Sequence, residues 1–122
     1  MGEKEGIHPF MSRIQHIGFF KFKSIYTAAD IAAVWRALEA FQKQIPGIHG
    51  FTWGVNSSTE GLSEDFTHSF IVTFENAAAR DAYLPHPVHR AAVAFVVPKL
   101  ERVIVLDHEI ESTALCHACT DT

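Results

Sequence analysis

Apolar and polar residues alternate along four segments of the chain, and apolar residues recur every three or four positions along two others. Alternation is typical of β-strands, and it is found over residues 14–23, 48–55, 66–75 and 101–109. The helical spacing begins after Thr27, a suitable cap, and stops at Pro46-Gly47. It returns after Asn76, where Pro85 and Pro87 predict a short helix, a kink and a second helix. The predicted order is strand, helix, strand, strand, helix, strand.

This order defines a fold class. Right-handed crossovers turn it into an α+β, ferredoxin-like βαββαβ plait, in which a four-stranded antiparallel sheet carries both helices on one face. Gly50 and Gly54 weaken the second strand, which therefore suits an edge of the sheet. The first helix turns an apolar stripe to the sheet and leaves four polar residues mostly on its other side: Arg36, Glu39, Gln42 and Lys43.

The second face of this sheet would be open in a single chain, although the strands carry apolar residues on both faces. We therefore expect a second copy of the chain to cover it, which gives a homodimer. A Val105→Asp change would disrupt that association if the fourth strand presents Val105 to the open face.

Length, composition and charge agree with one globular domain. The 122 residues are 48% hydrophobic and 20% charged. We expect a loose arm over residues 1–12, the folded domain over 13–110 and a tail over 111–122. The formal net charge of −4 disfavours a nucleic-acid partner. Because no apolar run approaches the roughly 20 residues of a membrane helix and the N-terminus lacks the pattern of a signal peptide, we expect a cytoplasmic protein without a membrane partner.

Candidate chemistry is concentrated in the segment Tyr83-Leu84-Pro85-His86-Pro87-Val88-His89, which packing alone does not explain. Its second proline suits the first position of a helix, so His86 would lie at the N-cap and His89 in the first turn. His16 and His68 stand just inside the first and third strands. Imidazole titrates near neutral pH, and these histidines therefore suit proton transfer.

Several short motifs accompany this segment. They are His16 to Lys23, Ile45-Pro-Gly-Ile48, Trp53-Gly54, Phe66-Thr-His68, Phe74-Glu75 and Tyr83-x-x-His86-Pro-x-His89. As a set they resemble the stress-responsive dimeric α/β-barrel family, often called the Dabb domain, from about Ile14 to Glu109. The resemblance implies a homodimer in which two sheets face one another as a barrel, with the helices outside.

The same resemblance implies a chemistry. Plant polyketide cyclases of the olivetolic acid cyclase type, within this family, close poly-β-keto chains by cofactor-free aldol chemistry in a cavity between sheet and helices. Carried over by motif, Tyr83 and His89 match the residues that position and deprotonate the substrate. His68 and His16 match a histidine of the cavity and one of the first strand. The expected function is a cofactor-independent acid–base enzyme, cyclase-like or lyase-like, that acts on a small β-carbonyl or phenolic compound and uses neither a cofactor nor a metal.

Other interpretations stay open. The protein could be a non-catalytic, stress-associated binding or structural dimer, in which His86 and His89 cap a helix and Tyr83 closes the bend. It could hold a metal on some of its histidines or on Asp107 with His108, although no H-x-x-x-H pair is present. Oxidation of an aromatic compound by O₂ without a cofactor rests only on analogy with related dimeric barrels.

Two further expectations concern the strand histidines and the C-terminal cysteines. His16 and His68 each lie near the start of their own strand, and these strands are antiparallel neighbours, so the two histidines are expected toward opposite ends of the sheet. Cys116 and Cys119 in the tail have a C-x-x-C spacing that could bind metal or cycle in redox chemistry, but a flexible tail is the favoured interpretation.

Overall fold

The structure is a computed structural model that describes residues 12–110. Its strands and helices are β1 Ile14–Phe22, α1 Ala28–Gln42, β2 Ile48–Val55, β3 His68–Phe74, α2 Ala77–Tyr83, α3 Pro87–Val96 and β4 Leu100–Glu109, with a 3₁₀ turn over Val97–Lys99. The predicted order of elements is confirmed, and the second helical region is divided in two as its prolines indicate. The predicted tail with Cys116 and Cys119, and all of the predicted arm except Ser12, lie outside the described residues. In residues 12–110 no helix is long and apolar enough to cross a membrane.

The sheet has the strand order β2-β3-β1-β4, and every neighbouring pair is antiparallel. This is the predicted ferredoxin-like arrangement, with β2 at one edge as expected. β4 forms the other edge. The three helices pack on one face of the sheet, where their apolar residues join those of the strands in a single core.

The register of the strands assigns each residue to a face. In β1 and β3 the even-numbered residues are buried beneath the helices, whereas the odd-numbered ones are half-buried on the open face. Val105 pairs with Gly18 and therefore lies on the helix face, while Leu106 pairs with Ile17 and lies on the open face. Placing Val105 on the open face is thus wrong. Ile104 and Leu106 are the apolar residues of β4 on the open face, where a second chain could cover them.

Local sequence explains how α1 is fixed on the sheet. Thr27 Oγ1 accepts a hydrogen bond from the Asp30 backbone, and the Asp30 carboxylate accepts one from the Thr27 backbone, which closes a capping box. One turn later Trp35 is fully buried and stacks on Trp53 and Phe20. These aromatic rings fill the space toward β2 and β3. Unfilled space is left between the helices and the β1–β4 half of the sheet.

Gly18 is the point where the Phe70 ring crosses β1. A Cβ added at Gly18 would overlap the Phe70 ring, whereas one added at Gly54 on β2 would meet nothing within 4 Å. We expect Gly18→Ala to lower the free energy of unfolding by about 1–3 kcal/mol, because the ring must move within a packed core. Urea denaturation of both variants provides the measurement. Equal effects of Gly18→Ala and Gly54→Ala would contradict this account of the core.

Candidate functional site

A cavity of about 120 Å³ lies between the helices and the β1–β4 half of the sheet. β1 and β4 contribute its floor, and α1 and α3 contribute its walls. Among the described residues that line it, four are polar, namely His16, Gln42, Tyr83 and His89, and the rest are apolar or aromatic. Since this lining holds no lysine, arginine, aspartate or glutamate, it suits a neutral molecule with one polar end.

The prolines of the Tyr83 to His89 segment build one end of the cavity. α2 ends at Tyr83, and the backbone N–H of His86 donates to the Tyr83 carbonyl, which closes the corner. His86 is the N-cap of α3, and its Nδ1 accepts a hydrogen bond of 3.0 Å from the Val88 backbone. Pro87 takes the first helical position as predicted, and His89 follows in the first turn. Helix capping therefore accounts for His86, which does not line the cavity.

Three of the four predicted site residues come together. The rings of Tyr83 and His89 have centroids 4.0 Å apart, and the His16 ring meets Tyr83 edge-on with centroids 5.7 Å apart. His68 is not part of this group. It pairs with Phe20, four residues along β1 from His16, so about 13 Å of strand separates the two histidines. The expectation that they lie toward opposite ends of the sheet is confirmed.

His68 belongs to the aromatic end of the core. Its ring contacts Phe22 edge-on and stacks on Trp35, and its Nδ1 lies 2.8 Å from Thr67 Oγ1. Burial lowers the pKa of His68, which favours the neutral imidazole. These contacts describe a core histidine with a hydrogen-bond partner.

His89 has the properties of a general base. Its Nδ1 donates to the Leu84 carbonyl at 3.0 Å, which places the hydrogen on Nδ1 and leaves the lone pair on Nε2. Burial lowers the pKa of His89; the Leu84 carbonyl opposes this shift, and the neighbouring His16 and His86 rings add to it. The imidazole is therefore neutral at pH 7 and can accept a proton.

Tyr83 has the properties of a hydrogen-bond donor. It is 3% exposed, and burial raises the pKa of its phenol; a hydrogen bond from Gln42 opposes the shift, and the negative charge of Asp107 adds to it. The phenol therefore keeps its proton at neutral pH. Gln42 Nε2 donates to Tyr83 Oη at 3.1 Å.

His16 is held by a carboxylate that the sequence had not linked to it. Its Nδ1 lies 2.7 Å from Asp107 Oδ1, directly across the β1–β4 pair, and Arg80 Nη1 donates to Asp107 Oδ2 at 2.8 Å. Asp107 therefore fixes the hydrogen on Nδ1 and the orientation of the imidazole ring. Arg80 anchors the carboxylate from α2.

Sequence reasoning missed three residues of this site. Gln42 was placed mostly on the polar side of α1, and the structure buries it. Asp107 was considered only as a metal ligand beside His108, and Arg80 was not singled out. One usable signal in the sequence was Asp107 itself, because its carboxylate follows Val103 and Val105 on the same face of an apolar strand. Its partner could be found only with the strand register.

The metal interpretation gains no support from the described chain. In residues 12–110 no group of three or more histidine, cysteine, aspartate or glutamate side chains could hold a metal ion. Asp107 and His108 lie on opposite faces of β4, because their partners are His16 and Gln15.

Stability is expected to depend on pH through His68 and His89. The pKa values of His68 and His89 lie below 6.5 in the folded chain, so the full contribution is present above pH 6.5. As the pH falls below 6.5, the unfolded chain takes up protons first and the free energy of unfolding decreases until the folded pKa values are reached. Urea midpoints measured between pH 7.5 and 5.5 should fall, and they should fall less in a His89→Gln variant. The same pH dependence in both proteins would contradict the assignment of His89 as a half-buried group that is neutral in the folded chain.

The antiparallel four-stranded sheet, its one layer of helices and the cavity between them define a ferredoxin-like α+β domain of the α/β-barrel class. The chain belongs to the family described as the Stress responsive A/B Barrel Domain, or Dabb, whose model matches residues 14–110. The predicted resemblance is therefore confirmed.

Two relatives illustrate the similarity. The stress-response A/B barrel domain-containing protein HS1 of Arabidopsis thaliana is 28% identical over 102 residues, which are 84% of this chain and 94% of that protein. Olivetolic acid cyclase of Cannabis sativa is 28% identical over 76 residues, which are 62% of this chain and 75% of the cyclase.

Solved structures agree with the fold. A hydroxynitrile lyase from Passiflora edulis is similar with a TM-score of 0.78 and 23% identity, over 84% of this chain and 97% of the lyase. A dimeric ferredoxin-like protein of unknown function from Jannaschia sp. CCS1 is similar with a TM-score of 0.69 and 28% identity, over 80% of this chain and 99% of that one. The predicted ferredoxin-like class is confirmed.

Proposed function

We propose that the protein is a homodimeric, cofactor-independent acid–base enzyme that acts on a small, neutral β-carbonyl or phenolic compound. His89 is its general base, and Tyr83 orients the substrate. The observation that carries this proposal is the contact between a neutral imidazole and a protonated phenol at the polar end of an apolar cavity. A histidine with a free Nε2 can accept a proton there, and a phenol can donate a hydrogen bond to the oxygen that gains charge.

The proposed step is removal of a proton from carbon next to a carbonyl. Nε2 of His89 takes the proton, and the electrons of the broken C–H bond move to the carbonyl oxygen, which becomes an enolate. Tyr83 O–H donates to that oxygen. A general base supplies about 10²–10⁴-fold, so orientation in the cavity must contribute the rest of the acceleration.

His16 gives the site a second proton-transfer group. Asp107 holds its Nδ1–H, so its Nε2 is the atom that can exchange a proton with a substrate. His68 was also a candidate, but its distance from the cavity leaves it out of this proposal.

The homodimer is supported by the open face of the sheet. Five apolar residues of the three strands β1, β3 and β4 share that face, namely Ile17, Phe19, Ile71, Ile104 and Leu106. A patch of this kind on a single chain marks an interaction surface. The similar protein from Jannaschia sp. CCS1, which is 28% identical, is described as dimeric. A cytoplasmic location and the absence of a nucleic-acid partner stay predictions from the sequence.

The non-catalytic dimer remains the alternative function. It expects a sealed, fully packed space around Tyr83 and His89, whereas an enzyme needs a cavity that reaches both. The cavity in this chain is lined by both residues. This favours the enzyme.

Exchange of carbon-bound protons tests the proposal without knowledge of the natural reaction. Acetophenone and ethyl acetoacetate are neutral, and ¹H NMR in D₂O follows the loss of the protons next to their carbonyl groups. We expect the wild-type protein to accelerate this exchange well beyond free imidazole at the same concentration. If neither compound exchanges its protons faster than with imidazole, the proposal is overturned and the non-catalytic dimer is left.

A further inference from the structure

Gln42, the last residue of α1, has a buried side-chain amide of which one polar atom is hydrogen-bonded and the other is not. Its side chain is buried, with the residue 7% exposed, and Nε2 donates to Tyr83 Oη at 3.1 Å. Its carbonyl Oε1 is buried as well and has no hydrogen-bond partner within residues 12–110. An unpaired buried carbonyl lowers stability, and an apolar side chain of similar shape would avoid that loss. Core packing therefore does not explain a glutamine at this position.

The partner of the amide indicates what the residue does. A phenolic oxygen carries one hydrogen and can accept through its lone pairs. Because Gln42 donates to Oη, the hydrogen of Tyr83 has to turn away from Gln42, and among residues 12–110 no other group bonds to this hydroxyl. Both residues line the cavity. The phenolic hydrogen is thus the donor that the pair offers to a molecule bound there.

We propose that Gln42 is the positioning residue of Tyr83, which holds the phenol as a donor aimed at a carbonyl or enolate oxygen of the substrate. Its effect on turnover rests on the proposed function, but its effect on the phenol does not. An amide turned the other way, with its carbonyl toward Tyr83, would remove this donor from the cavity. If Tyr83 donated to the Gln42 carbonyl, the hydroxyl hydrogen would be consumed within the protein and the cavity would lose this donor.

The titration of Tyr83 separates the two arrangements. A donor to Oη favours the phenolate, so its removal raises the pKa of Tyr83, whereas removal of an acceptor lowers it. The chain has two tyrosines, Tyr26 and Tyr83, so Tyr26→Phe leaves Tyr83 as the one phenol. Incorporation of 3-fluorotyrosine brings the titration into a range that the fold survives, and phenolate absorbance follows it.

In this background we expect Gln42→Leu to move the Tyr83 titration upward by about one pH unit, the equivalent of one hydrogen bond to the charged form. The melting temperature should stay at or above that of the parent, since an unpaired carbonyl has been removed. Gln42→Met, unbranched like glutamine, repeats the measurement if the leucine variant folds poorly. An unchanged or lowered titration point would overturn the proposal.

Exchange of acetophenone protons then tests the consequence for turnover. We expect Gln42→Leu to slow the catalysed exchange about tenfold, the kinetic equivalent of one such hydrogen bond. In a Tyr83→Phe background the same change should have no further effect, because Gln42 acts through the hydroxyl. Equal losses in both backgrounds would overturn the positioning role. If the wild type catalyses no exchange, the proposed function fails, and the titration still decides the role of Gln42.

Discussion

Replacing His89 by glutamine is expected to slow the protein-catalysed exchange of acetophenone protons by about 10²–10⁴-fold while the fold persists. Glutamine keeps a polar side chain of similar reach but has no basic nitrogen. His89 is half-buried, and its protein hydrogen bond goes to the Leu84 carbonyl, which a glutamine N–H can still approach. Proton NMR gives the exchange rate, and circular dichroism with thermal melting verifies the fold.

His86→Gln is the matched control, because it makes the same chemical change three residues earlier. His86 caps α3 and does not line the cavity, so its variant should lose some stability and keep the exchange rate. The wild-type rate should itself decrease as the pH falls through the folded pKa of His89, which burial holds below 6.5. Full activity in His89→Gln, or the same loss in His86→Gln, would contradict the assignment of the base.

Replacing Leu106 by aspartate is expected to convert the proposed homodimer to a monomer. Leu106 lies opposite Ile17 on the open face of the sheet. In the proposed dimer it becomes buried, and an unpaired carboxylate in an apolar interface costs several kcal/mol. Light scattering at micromolar concentration measures the mass. A monomeric wild type would contradict the dimer itself.

Val105→Asp is a closely matched control for this variant. The two residues are neighbours on β4 and almost equally exposed in the single chain, at 47% for Leu106 and 48% for Val105. They face opposite sides of the sheet, since Val105 lines the cavity. Val105→Asp should therefore remain dimeric and lose the catalysed exchange. Dissociation of both variants, or of neither, would contradict the face assignment.

The elements of this fold were predictable because short-range patterns encode them. Alternation marked the four strands, Thr27 marked the start of α1, and the prolines marked the break between α2 and α3. Each of these signals acts through neighbours within a few residues of the chain. The grouping of Tyr83 with His89 came from the same local segment, as the corner closes within seven residues.

What could not be predicted depends on contacts between distant parts of the chain. His16 and Asp107 are 91 residues apart, and Gln42 and Tyr83 are 41 apart. The face of Val105 follows from the register of β4 against β1, and a shift of one residue would reverse it. Gln42 lies at the end of α1, where helical spacing alone does not reveal that Tyr83 from α2 packs over it. The sequence showed which residue types were available for the site, but it did not show which of them form pairs.

The position of β4 limits the substitutions that this sequence can tolerate. In the single chain its residues from Glu101 to His108 are exposed, which would ordinarily mark a stretch that tolerates substitution. Yet its odd-numbered members Val103, Val105 and Asp107 form part of the cavity or hold His16, and Ile104 and Leu106 belong to the face assigned to the second chain. Few substitutions at the central positions of β4 would therefore be neutral, because the cavity constrains one face of the strand and the proposed interface constrains the other. An edge strand that looks permissive in the single chain would, in the proposed dimeric enzyme, tolerate few substitutions.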